Sequence, residues 1–216
     1  MFDSESPEVY ETVYQELVQR LATADLKSAA EGLGLAYGQG RATVDFFGRA
    51  YLVGPDGVST ADGGEAAFTH RIVLAWYLLH AGRGEPADRF VPYRELPGGQ
   101  DFARSLAQTV EGRLAAGFGR RVDELVAAAT AIGGQEAGER SPAAADASLY
   151  FAALPKVPLL LTFYEADEDF GAEAKVFYDI TAPNFLDLEC LAVLGLILVL
   201  ELEAADPAGG GRAAPG

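Results

Sequence analysis

Hydrophobic positions follow two rhythms along this chain. Val9, Val13, Leu17, Leu21 and Ala24 recur at spacings of three and four, with Glu, Gln and Arg between them. That period predicts an amphipathic helix over about 8–31. Ser6 before Pro7 suits its first turn, and Gly32 and Gly34 suit its end. The segment 1–34 thus reads as a helix covering one side of a core.

The rhythm then changes. ATVDFFGRAYLV, 42–53, is rich in β-branched and aromatic residues, with Gly48 marking a bulge or a hairpin turn. GPDG at 54–57 signals a turn, and Val58 to Thr60 a short strand. A helix over 66–81 has an all-apolar centre, IVLAWYLL, which predicts a central position. An extended piece at 88–96 leads to Pro97-Gly98-Gly99, which opens a helix over about 100–117. Another helix follows from about 120 to Gly133-Gly134, and 135–147 is a loop of small and polar residues.

ASLYFAAL, VPLLLTFYE and AKVFYDI read as strands, and a second very apolar helix spans about 185–204 with Asn184 and Asp187 in an N-cap arrangement. The fold class is therefore α+β: an antiparallel sheet packed against several helices, two of them strongly apolar. Two strands and an apolar helix occur at 42–81 and again at 157–204. This is either an internal duplication, with both helices side by side on one sheet, or the ordinary recurrence of a common strand–strand–helix unit; residue identity between the two halves is poor. Residues 1–205 form one globular domain and 206–216 a flexible tail.

Composition narrows the partners. The chain has 216 residues and a formal net charge of −16, from 32 acidic and 16 basic residues. Such a surface repels phosphate backbones and anionic membranes, so nucleic acid and membrane are not expected partners. The apolar run 190–200 is shorter than the roughly 20 residues of a spanning helix. It is either buried on all sides or lends a face to a partner. The one cysteine, Cys190, lies in that run and reads as an inert buried thiol. No signal peptide is apparent at the acidic N-terminus, so a cytoplasmic location is expected.

FFGRAYLV, LAWYLLHAGRGEP and FVPYRELPGGQDF, followed by ALPKVPLLLTFYEADEDF, VFYDITA and FLDLECLAVL, carry a resemblance over about 35–204. Together they resemble an uncharacterised domain family of anaerobic bacteria and archaea, to which no activity is assigned. The resemblance implies relatives fused to a four-cysteine iron–sulfur domain similar to that of corrinoid iron–sulfur proteins. This chain lacks those cysteines, so any such association runs through a separate partner. It also departs from the pattern at Ala166 (usually Gly), Asp169 (usually Glu) and Tyr178 (usually Phe).

Candidate chemistry concentrates in two places. If VPLLLTFYE runs on as a strand, Glu165, Asp167 and Asp169 share one face and form a candidate metal site. The alternative is a solvated or ion-paired turn. Two carboxylates about 4 Å apart repel by only about 1 kcal/mol in water, but by about 4 kcal/mol at an effective dielectric near 20. The stretch lacks the spacing of an EF-hand loop. The second place is YRELPGGQDF. Arg94 with Gly98 and Gly99 before a helix, together with Asp179 of VFYDITA, forms a candidate ligand-binding set. Its alternative is a plain glycine turn with Arg94 ion-paired. His70 and His80, ten residues apart on one helix, point about 80° apart and do not suit a joint ligand pair. No P-loop, dinucleotide fingerprint or nucleophile elbow is present.

Three functions are compatible with these residues. The first is a non-catalytic binding or accessory domain for a protein or small cofactor in anaerobic metabolism. The second is a metal-assisted enzyme using the 165–169 carboxylates. The third is a structural homodimer formed through the C-terminal apolar helix.

Overall fold

The computed structural model describes residues 7–140 and 144–208. Ser6 and the tail from 209 onward therefore lie outside the described residues. The first helical stretch is two helices, α1 (Pro7–Thr23) and α2 (Leu26–Leu33). The single helix expected from periodicity breaks because the Asp25 side chain accepts a bond from the Ser28 amide at 3.0 Å and starts a new helix. Gly34 ends α2 in the left-handed region at φ 72°, while Gly32 stays inside it.

Strands β1 (Ala36–Gly38), β2 (Arg41–Phe46), β3 (Arg49–Gly54) and β4 (Gly57–Thr60) form an antiparallel meander. Phe47 and Gly48 make the two-residue turn between β2 and β3, at φ 45° and 73°. Both values suit a hairpin turn. A left-handed non-glycine residue costs roughly 1–2 kcal/mol. Phe47 offsets that by burying its ring against Phe46 and Phe151.

After α3 (Phe68–His80), strand β5 (Phe90–Pro92) leads to α4 (Gln100–Leu106). A π-helical turn over Ala107–Glu111 joins α4 to α5 (Gly112–Phe118), and α6 (Val122–Ala131) follows. Strands β6 (Gln135–Glu136), β7 (Ala147–Leu154), β8 (Val157–Tyr164) and β9 (Glu173–Asp179) complete a second antiparallel sheet, in the order β5-β9-β8-β7-β6. The last helix is α7 (Leu188–Ala205). Its N-cap is Asp187, which accepts from the Cys190 amide at 2.7 Å; Asn184 instead belongs to a short 3-10 turn.

The single sheet expected from sequence is thus two, joined where the Phe47 amide donates to Ala153 O at 3.1 Å. Both hairpin-and-helix units are present, and α3 does pack against α7, but each unit belongs to its own sheet. In central strand β8 every residue from Val157 to Phe163 is buried. Pro158 is tolerated there because it sits at the β7–β8 register shift. Helix α7 lies among α3, α4, α5 and α6. Leu191, Leu194, Ile197, Leu198, Val199 and Leu202 are fully buried, each contributing roughly 1.5–3 kcal/mol by leaving water.

Candidate functional site

Strand β8 stops at Tyr164, so the alternation that would align Glu165, Asp167 and Asp169 is not realised. Each acid has its own surroundings. Glu165 Oε1 accepts the Val122 amide at 3.0 Å and so caps α6 from a distant segment; Arg121, at that helix's N-cap position, makes no side-chain cap. Asp167 Oδ1 accepts the amides of Asp169 and Phe170 at 2.8 and 2.6 Å. Those two bonds, Phe170's the stronger, hold its carboxyl below the ordinary range despite its exposure. Arg120 braces the same turn by donating to Asp167 O at 2.8 Å. Glu168, Asp169 and Phe170 are exposed. Among the described residues, no three of His, Cys, Asp and Glu are grouped so as to hold a metal ion.

The candidate ligand set also separates. Gly98 turns the chain at φ 82°, and the Gly99 amide donates to Leu96 O at 2.9 Å, so it is not turned outward as an anion donor. Asp179 is fully buried. Burial pushes its carboxyl up. Bonds from the Thr181 hydroxyl and amide and from the Ala87 and Arg89 amides outweigh this and hold it below the ordinary value. It clamps the segment before β5 onto β9. Of the set, Arg94 lines a hollow. It lines a cavity of about 60 Å³ with Tyr93, Leu106, Val110, Glu111 and Tyr178, and none of the 165–169 carboxylates reaches that wall.

A hollow of about 570 Å³ lies between α2 and the end of α3, more open to solvent, and a groove of about 520 Å³ lies between α4–α5 and α7. Ala192, Val193, Leu196 and Leu200 form one wall, and Phe102 and Leu106 the other. The face of α7 that the surrounding helices leave open is therefore the face of this groove. The π-helical turn supplies Gln108 and Thr109 to the rim. Such turns insert one residue into a helix and recur at functional sites. Glu189 stands in the first turn of α7, where a helix N-terminus favours an acid. Arg113, also on the groove, is bound through both Nε and Nη2 to Glu203, at 2.6 and 2.5 Å. The volume falls within the range of small-molecule pockets, and six apolar residues line it with six polar ones, Thr69, Ser105, Gln108, Thr109, Arg113 and Glu189.

Sequence reasoning missed two buried polar clusters. Tyr51 Oη lies 3.0 Å from His70 Nδ1, and His70 Nε2 lies 3.3 Å from Glu201 Oε1. With the ring neutral, Nε2–H donates to the carboxylate and Nδ1 accepts the phenol proton. Through its hydrogen bond, His70 holds Glu201 below the ordinary carboxylate range against the upward push of burial, and the Arg49 charge adds to this. The trio ties β3, α3 and α7 together.

The second cluster is Tyr178, whose hydroxyl is buried and unpaired among the described residues; Tyr93 packs edge-on to its ring at 5.4 Å. Beyond Tyr178 standing where the resembled pattern usually has Phe, no local signal marks either cluster, because their members lie far apart in the chain.

No curated protein and no solved structure matches this chain. Residues 25–201 match the family DUF3786, a domain of unknown function, and the chain belongs to that family.

Proposed function

We propose that this chain is a non-catalytic binding domain whose groove along α7 takes a small, extended, mostly apolar molecule. The observation that carries this reading is the hollow of about 520 Å³ between α4–α5 and α7. Charge limits the occupant. Net charge is −16, Glu189 stands at one end, and Arg113 is already held by Glu203. An uncharged or cationic molecule suits that field, and an anion does not. An accessory role in anaerobic metabolism agrees with the family resemblance drawn from the sequence, and a cytoplasmic location with the acidic N-terminal segment.

Butylbenzene, 4-phenylbutylamine and 4-phenylbutyrate test the reading by titration calorimetry. Butylbenzene and the amine should bind with Kd below about 1 mM, near −4 kcal/mol, and the carboxylate much more weakly. Ala192→Trp should fill the groove and abolish binding. No binding of butylbenzene to the wild type, or undiminished binding to the Trp variant, would refute the groove as the site.

A further inference from the structure

The groove has a hidden polar group beside it. Tyr178 rises from β9 and ends against α7 at Gly195, where any Cβ would overlap its hydroxyl oxygen. That Cβ position lies 3.4 Å from Leu106 Cδ2 and 3.6 Å from Val110 Cγ2, and both side chains line the 60 Å³ cavity with Tyr178. Leu106 lines both the 520 Å³ groove and the 60 Å³ cavity that Tyr178 walls. Leu106, the last residue before the π-helical turn, is the one lining residue that the groove and the Tyr178 cavity share.

A buried hydroxyl without a partner carries a cost of about 1–3 kcal/mol, which an incoming acceptor would relieve. Burial also pushes the phenol far above its ordinary pKa, with Tyr93 and Glu111 adding to the rise, so it remains a donor. The polar rim residues lie elsewhere: Thr109 donates its hydroxyl to Ser105 O at 2.8 Å, and Arg113 is engaged with Glu203. Tyr178 differs from these two as a donor that is both buried and without a partner among the described residues.

We infer that Tyr178 is the specificity-determining donor of the groove: with Leu106 swung aside, its O–H binds a carbonyl or ether oxygen carried by an uncharged, otherwise apolar ligand. This rests on the groove reading above and names the ligand class within it. The small cavity beyond Leu106 supplies room for the displaced side chain.

Butyrophenone and butylbenzene, which differ by a carbonyl in place of a methylene, separate the two ideas. On the wild type, butyrophenone should bind about tenfold tighter in calorimetry, the worth of one good hydrogen bond. Tyr178→Phe should bring that ratio to about one while leaving butylbenzene affinity unchanged. The Phe variant should melt no lower than the wild type, since it only removes an unpaired polar atom. Leu106→Ala should keep or increase the preference for the ketone.

An equal preference in wild type and Tyr178→Phe, with butylbenzene still bound, would overturn this inference and leave the groove reading standing. Failure of both probes on the wild type would remove both. A Tyr178→Phe variant that changes only its melting temperature would mark the hydroxyl as a packing feature.

Discussion

The loop 165–170 and the groove along α7 are opposite designs. The loop has dense charge without a shared hollow. Glu165 and Asp167 spend their oxygens on the amides of Val122, Asp169 and Phe170. The groove has a hollow with little charge, and beside it a donor that nothing in the described chain engages. Carboxylates that look like a ligand set in one dimension are consumed by local backbone in three. Recognition capacity remains where packing leaves polar atoms unpaired next to space.

Substitutions sharpen this contrast, the largest expected effect coming first. Gly195→Ala pushes a methyl into the Tyr178 hydroxyl and should cost about 2–3 kcal/mol in denaturant unfolding. Adding Tyr178→Phe should restore most of it. Full additivity of the two changes would break the link between Gly195 and the phenol.

Asp179→Ala strands the Ala87, Arg89 and Thr181 donors and should cost about 2 kcal/mol, with faster hydrogen exchange at those three amides. Asp167→Ala, at an exposed turn, should lower stability far less. If it matched Asp179→Ala, the loop would be more than a solvated turn.

The pH dependence has a definite sign. Asp179 and Glu201 both have depressed carboxyl pKa values in the folded chain. Their stabilisation is complete above the unfolded values near 4 and is lost as pH falls through the folded ones. Thermal melts from pH 7 to 3 should show falling stability, and the drop should be shallower in a Glu201→Gln variant. An unchanged slope would detach Glu201 from the acid response.

The smallest effect concerns ions. Millimolar Mg²⁺ or Ca²⁺ should leave the melting temperature of both the wild type and an Asp167→Asn, Asp169→Asn double variant nearly unchanged. A clear rise in the wild type alone would return the loop to candidacy as a metal site.

Much of the architecture was legible because periodicity and apolarity are local properties. IVLAWYLL and CLAVLGLILVL announced central helices, and both lie in the core. Phe47-Gly48 and Gly34 sit where turn and cap chemistry put them, whereas the cap of α7 is Asp187 and not Asn184. Where local rules competed, they misled. Asp25 splits one periodic stretch into two helices. Helix α6 takes its carboxylate cap from Glu165, 43 positions away from the amide it binds.

Strand pairing was the first thing local pattern left open. Nothing in 42–60 or 147–179 says whether those strands join one sheet or two, because the partner of a strand edge is chosen by whole-molecule packing. The site is non-local in the same way. Tyr178 meets Gly195, Leu106 and Val110 only because β9, α7 and the π-helical turn converge. The order of residues specifies which faces are apolar and where the chain turns. Assembly specifies which polar atoms find partners and which hollow stays open, because both depend on groups that meet only when distant segments pack.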